Sequence, residues 1–211
     1  MKATLAFTAA LAALTAAPLA RGQAADPPLP PPMGPEGVQP GVYVIDTKET
    51  NVRYGTIHMG LTEFWGTFPG ATGTLTIDPK NIAAAKLEVS VPVVTITTGN
   101  RTLDGELVSD EFLGAGKFRS MKFVSTSVTR TGERTARMAG DLTIHGVTKP
   151  VVFNVTFNGA GPNAFSKVLT LGFKAEGKVK RSDFGVGKYV PIVSDETTIN
   201  ISAAFEKKKD G

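Results

Sequence analysis

From Gly41 onward the sequence consists of short segments in which apolar and polar residues alternate. Val, Thr, Ile and Phe are frequent in these segments, and Gly, Pro, Asn and Asp separate them. Because successive side chains of a strand point to opposite faces, this pattern predicts an all-β domain. We predict about ten strand segments, some of them halves of one bent strand, over 42–46, 52–58, 63–71, 73–78, 85–92, 122–130, 135–145, 149–158, 168–180 and 196–207.

The segment 102–113 differs from this pattern and favours a helix, with Leu103, Leu107 and Phe112 on one side. An all-β chain of this size must protect the edges of its sheets, either in a sandwich or in a closed barrel. Composition does not decide between them, but the long strand through Leu171 and Phe173 fits a tilted barrel better. We therefore predict a lipocalin-like antiparallel β-barrel of about eight strands with one short helix.

Alternation also predicts which side chains point into the barrel. On the strand 52–58, for example, Val52, Tyr54, Thr56 and His58 share the face that we expect to point inward. The full set of inward candidates for an apolar interior is Val52, Tyr54, His58, Phe64, Phe68, Leu75, Ile77, Val89, Val91, Leu107, Phe112, Met121, Phe123, Leu142, Ile144, Phe153, Val155, Leu171, Phe173, Ile199 and Ile201. A small barrel holds either packed side chains or one apolar ligand, and periodicity alone favours the filled core.

The first residues have the layout of a secretory signal peptide. Lys2 precedes an apolar run from Leu5 to Leu19, and small residues follow it. We predict a signal peptide over 1–24 and a periplasmic or secreted mature protein. We predict that the proline-rich segment 25–40 is an extended or disordered spacer. Each proline lacks the backbone N–H that a strand or helix needs. The barrel domain then covers 41–207, and 208–211 form a basic tail.

Composition narrows the function further. The chain has no cysteine, which excludes disulfides and thiolate metal sites. Its net charge of +4 comes largely from Lys2, Arg21 and the lysines at 207–209, so the folded part is close to neutral. With one Trp and no arginine cluster, a nucleic acid is not an expected partner.

Residues able to carry chemistry are few. His58 and His145 are the only histidines, and each falls in a separate turn after a strand, so we expect no metal site. No Gly-x-Ser-x-Gly elbow is present, and we predict a non-enzymatic protein without a cofactor. A small-molecule enzyme using His58 or His145 at the barrel mouth remains a weaker alternative. Arg181 and Asp183 either bind a charged headgroup or pair with each other to hold a turn, and we favour the pairing.

Four segments in order resemble the YceI-like family of lipocalin-like barrels. The first, 43–78, contains the histidine-x-glycine turn at His58 and the glycine-x-phenylalanine pair at Gly66 and Phe68. The second, 103–126, matches the short helix and the strand after it. The third, 140–155, is the most specific, and the fourth carries the Arg-Ser-Asp-Phe-Gly signature from Arg181 to Gly185. This chain departs from the usual family pattern at Glu106, where many members carry histidine.

This resemblance implies a long apolar groove that holds an isoprenoid chain, such as a polyprenyl alcohol, a polyprenyl phosphate or a quinone tail. The inward apolar residues would then contact the ligand, with Arg181 and Asp183 as headgroup candidates. Transient contact with a membrane surface is compatible with the lysines near this turn. The sequence leaves the oligomeric state open, with a dimer among the options. A different class of function, an interaction module with a filled barrel, also stays open.

Overall fold

The computed structural model describes residues 31–209. The predicted signal peptide, the first part of the proline-rich segment and the last two residues of the basic tail lie outside the described residues. The described residues form ten strands: β1 (Gly41–Ile45), β2 (Asn51–His58), β3 (Thr62–Phe68), β4 (Thr72–Ile77), β5 (Lys86–Pro92), β6 (Ser120–Arg130), β7 (Thr135–Ile144), β8 (Val147–Pro162), β9 (Leu169–Lys180) and β10 (Glu196–Lys207). Each lies at a position predicted from alternation.

The strands close into an antiparallel barrel. Neighbours follow the order β1-β4-β5-β6-β7-β8-β9-β10, and β10 pairs back onto β1 to complete a ring of eight strands. β2 also pairs with β10, over Thr198–Ser202, while β1 pairs with its last residues, Phe205–Lys207. β1 and β2 are therefore two halves of one bent strand, as are β3 and β4, which pair with them. Both the barrel and the approximate strand number are confirmed.

The first bend has a local cause in the residues between β1 and β2. There the backbone of residues 47–50 does not pair with β10. The hydroxyl of Thr50 accepts a hydrogen bond from the backbone N–H of Ala204 at 3.1 Å instead. The carboxylate of Asp46 accepts from the N–H of Lys48 at 3.0 Å, which forms a tight turn. In the second bend, Pro69 has no N–H to donate and Gly70 adopts φ +86°.

The helix α1 spans Arg101–Leu107 and begins at Asn100, whose side chain accepts hydrogen bonds from the N–H groups of Thr102 and Leu103. The prediction of a helix to residue 113 was wrong at its C-terminal end. After Leu107 the chain forms successive turns, in which the N–H of Ser109 bonds to Glu106 O at 3.1 Å and that of Phe112 to Ser109 O at 3.1 Å. Turns of this kind present Phe112 and Leu113 to the barrel interior, where both are buried.

In the described part of the proline-rich segment, residues 32–40 contact the barrel, which differs from the extended or disordered spacer that we predict for 25–40. Met33 exchanges two backbone hydrogen bonds with Ala160 on β8, at 2.8 and 3.0 Å, and Pro35–Gly37 form one 3-10 turn. The prolines are compatible with both features. The bridge needs only one N–H donor from this segment, which Met33 supplies, and proline suits the first position of a helical turn. This segment covers the barrel end opposite α1, since Pro35 and Val38 line the interior.

The two ends of the barrel differ in the elements that surround them. The β2–β3 turn, α1, the β7–β8 turn and the long β9–β10 connection lie at one end, which we call the α1 end. At that end the β7–β8 hairpin turns on His145 and Gly146, both at positive φ (50° and 76°), as a tight two-residue turn requires. Among residues 31–209, no helix is long and apolar enough to cross a bilayer.

Candidate functional site

The barrel encloses a cavity of about 710 Å³. This volume lies within the range of small-molecule sites, about 300–1,000 Å³. Inward side chains from all strands of the ring form its wall, and most of them are apolar. Periodicity alone favoured a filled core, and that prediction was wrong. Alternation identifies the inward face of a strand, but it does not determine whether the inward side chains meet across the lumen.

The structure brings together nearly every predicted inward residue. Those that line the cavity are Val52, Tyr54, His58, Phe64, Phe68, Leu75, Ile77, Val89, Val91, Leu107, Phe112, Met121, Phe123, Leu142, Ile144, Phe153, Val155, Phe173, Ile199 and Ile201. Leu171 does not line it. Leu171 is fully buried between its strand neighbours Ala160 and Phe205, so its role is packing.

Several lining residues are not among those that we predict from the sequence. They include Ile45, Ile96, Val128, Met138, Val179, Phe184, Thr197 and Phe205. Thr197 and Phe205 continue the alternation of Ile199 and Ile201, so the same rule extended along β10 would have found them. Val128 could not be found in this way, because a register shift between Ser125 and Ser127 moves the rest of β6 to the opposite alternation.

A polar contact crosses the α1 end of the cavity. Lys188, in the β9–β10 connection, pairs with Glu111 and lies 3.7 Å from Glu106 of α1. The hydroxyl of Tyr189 donates to Glu106 at 3.0 Å, and its ring lies 5.8 Å from that of Phe112. The hydrogen bond from Lys188 lowers the pKa of Glu111, and the same contact raises the pKa of Lys188. These side chains join the β9–β10 connection to α1 across the opening of the cavity at the α1 end, which we call the mouth.

Arg181 holds the same connection in place from within. Its guanidinium donates to four backbone carbonyls, Val186 O, Lys188 O, Val193 O and Ser194 O, at 2.7–2.8 Å. Burial lowers its pKa, and the charge of Asp195 acts in the opposite direction. The predicted pairing of Arg181 with Asp183 is wrong. Arg181–Phe184 form a 3-10 turn rather than a strand, and Asp183 is exposed and lies off the cavity.

Two hydroxyl groups of the cavity wall, Tyr54 Oη and Thr197 Oγ1, are buried without a hydrogen-bond partner among the described residues. Burial, with a smaller effect from the charge of Asp104 in α1, raises the pKa of Tyr54 to about 12. The Tyr54 ring lies over Gly66, where a Cβ atom would come within 2.5 Å of it. Gly66 therefore provides the space that this ring occupies.

Charged groups also occur at the opposite end of the barrel. Arg130, Glu133 and Arg134 line the cavity there, beside the Pro35 turn. Their donors are largely engaged with the backbone: Arg130 bonds to Gly132 O at 2.8 Å and Arg134 to Asn158 O at 3.0 Å. These contacts stabilise the loops that close this end.

The described residues contain no group of three or more His, Cys, Asp or Glu side chains that could hold a metal ion. His58 is exposed at the mouth, where its backbone pairs with Val193. His145 packs instead against the ring of Phe118, with 4.6 Å between ring centroids. Both histidines lie at the α1 end, but they are in different turns and contact different residues.

Comparisons with known proteins agree with this architecture. Curated relatives include a UPF0312 protein of Pseudomonas fluorescens (strain SBW25), 40% identical over 165 residues that cover 78% of this chain and 81% of the relative. Another UPF0312 protein, from Pseudomonas savastanoi, is 35% identical over 166 residues, covering 78% of this chain and 84% of the relative.

Solved structures show the same fold. Burkholderia cenocepacia BcnA matches with a TM-score of 0.69 at 23% identity, covering 76% of this chain and 98% of BcnA. A YceI protein of Campylobacter jejuni matches with a TM-score of 0.65 at 28% identity over 72% of this chain and 90% of its own. A polyisoprenoid binding domain from Saccharophagus degradans, implicated in plant cell wall breakdown, matches with a TM-score of 0.61 at 10% identity. The match covers 81% of this chain and 100% of that domain.

The model of the YceI-like domain matches residues 43–205, which include the whole barrel except its outermost residues. The match, the relatives and the closed barrel agree with the motifs identified in the sequence. This chain belongs to the YceI-like family.

Proposed function

We propose that this protein is an exported carrier that holds one isoprenoid lipid inside its barrel and performs no chemistry on it. The observation that carries this proposal is the apolar cavity of about 710 Å³ within the ring of strands. The polyisoprenoid binding domain of Saccharophagus degradans, which has the same fold, supports a ligand of this class.

The energetics of such a site are favourable without polar recognition. Each methylene group moved from water into an apolar cavity contributes about 0.8 kcal/mol. A prenyl chain of several units therefore binds tightly when side chains such as Phe123, Phe153 and Ile201 surround it. A polyprenyl alcohol, a polyprenyl phosphate and a quinone tail all carry a chain of this kind.

The proposal of a carrier, rather than an enzyme, is supported by the side chains of the wall. Most of them are apolar and can neither accept nor donate a proton. The charged residues at the α1 end, Lys188, Glu111 and Arg181, hold the connection and its neighbours in place. The alternative of an interaction module required a filled interior, and the cavity counts against it.

Export and membrane contact belong to the same proposal. A lipid carrier must meet the membrane that supplies its cargo, and apolar side chains are exposed beside the mouth: Met59 (58%), Leu61 (80%) and Ile192 (59%). The N–H of Met59 bonds to Ile192 O at 2.7 Å, so the two segments that carry these side chains are adjacent. We propose that this edge touches the membrane surface briefly during loading. Sequencing of the mature N-terminus would test the predicted cleavage after residue 24.

A loading experiment tests the carrier proposal. Lipid-free protein is mixed with vesicles that contain a prenyl alcohol, separated from them by size exclusion, and analysed by native mass spectrometry. We expect one prenyl lipid per chain after separation. Protein that emerges without lipid, although it is folded by circular dichroism, would contradict the proposal.

A further inference from the structure

The two buried hydroxyls of the cavity wall, Tyr54 Oη and Thr197 Oγ1, need an explanation. The large majority of buried side-chain polar atoms in proteins have a hydrogen-bond partner. Thr197 is only 8% exposed, and neither hydroxyl has a partner among residues 31–209. Because both side chains line the cavity, a ligand inside the barrel is in a position to supply the missing partner.

The register of the strands places the two residues on neighbouring strands, and both face the cavity. Ile199 on β10 pairs with Tyr54 on β2, and Thr198 pairs with Gly55. Thr197 is therefore beside Thr56, two positions further along β2 towards the α1 end. Asp104 of α1 is close enough for its charge to act on Tyr54. Both residues therefore belong to the half of the barrel wall nearer the α1 end.

The character of these groups restricts what they can bind. A threonine hydroxyl and a neutral tyrosine can each donate one hydrogen bond and also accept, so they suit uncharged groups that carry oxygen, such as carbonyls and alcohols. A phosphate here would need a cation, because a buried anion without one is strongly unfavourable. Of the cations that line this half of the cavity, Arg181 already donates to backbone carbonyls and Lys188 pairs with Glu111. Arg53 and Lys122 are exposed and lie on the outward alternation of their strands.

We propose that Tyr54 and Thr197 hold the uncharged polar end of the lipid inside the barrel, by donating hydrogen bonds to its carbonyl or hydroxyl oxygens. The cargo is then an isoprenoid lipid with a neutral oxygen-bearing headgroup, such as a quinone, rather than a prenyl phosphate. The headgroup lies under α1, and the prenyl chain extends towards the Pro35 turn. This inference rests on the proposed function and adds the class and the orientation of the ligand.

Three probes with the same farnesyl chain test the inference: a farnesyl-substituted benzoquinone, farnesyl phosphate and the hydrocarbon farnesene. Affinities are measured by native mass spectrometry for the natural chain, Tyr54→Phe, Thr197→Val and the double variant. We expect the natural chain to bind the quinone about tenfold more tightly than either other probe. Both single variants should reduce that preference, the double variant should abolish it, and farnesene binding should stay unchanged.

Two matched variants control for packing. Tyr43→Phe removes the same atom from a fully buried tyrosine that bonds to Gln39 O and lies off the cavity. It should keep the quinone preference. Thr197→Ser retains the hydroxyl and should keep it as well. Circular dichroism establishes that each variant is folded.

The outcomes separate this inference from the proposed function. If the double variant keeps its quinone preference, or if farnesyl phosphate binds more tightly than the quinone, the inference is wrong while the carrier proposal stands. An equal loss of quinone and farnesene binding in the variants would likewise overturn it, because it would show that the two side chains only pack. Failure of the natural chain to bind any of the three probes would refute both.

Discussion

Ala175 offers a direct way to reduce the cavity without touching a polar group. It points into the lumen from β9, between Val155 on β8 and Ile201 on β10, and all three residues line the cavity. Replacing it with phenylalanine places a ring where the proposed ligand would lie. The ring displaces about one prenyl unit, which contains about five carbons.

The expected magnitude follows from the burial of those carbons. At about 0.8 kcal/mol for each, Ala175→Phe should weaken binding of a prenyl lipid by about 4 kcal/mol, or about a thousandfold in Kd. The lipid-free protein should keep its thermal midpoint, because the ring enters existing space and buries apolar surface. Lipid titration followed by native mass spectrometry, together with thermal unfolding, measures both quantities.

Ala139→Phe is the matched control, since Ala139 lies on β7 opposite Val152 and outside the cavity lining. It makes the same substitution on the outer face and should leave lipid affinity unchanged. Binding of the lipid beside Ala175 would be refuted if Ala175→Phe bound prenyl lipid as tightly as the natural chain, or if both variants lost affinity equally.

Three further predictions concern packing and the mouth. Leu171→Ala should destabilise the protein by about 2–5 kcal/mol in urea unfolding, without changing lipid affinity, because this fully buried side chain lies off the cavity. Gly66→Ala should lower the free energy of unfolding by about 1–3 kcal/mol because its Cβ would meet the Tyr54 ring, and in a Tyr54→Ala background the same substitution should cost little; an equal cost in both backgrounds would show that the ring is not the obstacle. The lowered pKa of Glu111 means that its contact with Lys188 is complete above the ordinary value of 4.5 and is lost as the pH falls through the lowered value. Lipid release measured by stopped flow should therefore accelerate in that acid range, and Glu111→Gln should release quickly at neutral pH without this acid step; identical pH profiles would count against a role of the contact in closing the mouth.

Much of the barrel was predictable because alternation is a local property. The face that carries Val52, Tyr54 and Thr56 could be assigned from the order of residues alone, and the structure places all three on the cavity wall. The same rule fails beyond a β-bulge, so Val128 was missed although Met121 and Phe123 on the same strand were found. Alternation extends only as far as the ladder is regular.

Other features depend on contacts between distant parts of the chain. Met33 forms a β-bridge with Ala160, and nothing in the proline-rich sequence specifies that partner. Arg181 binds carbonyls of a connection that has no regular pattern, so its true partners could not be inferred from the strand before it. Whether the lumen is filled depends on the radius of the closed ring together with all inward side chains, which is a property of the whole barrel.

The central claim is that the barrel carries an isoprenoid lipid in its interior. The most direct measurement is native mass spectrometry of the mature protein purified from the cells that make it, followed by solvent extraction and identification of the released molecule. We expect one isoprenoid lipid per chain, with a neutral headgroup. A protein that emerges empty and takes up no added prenyl lipid would contradict it.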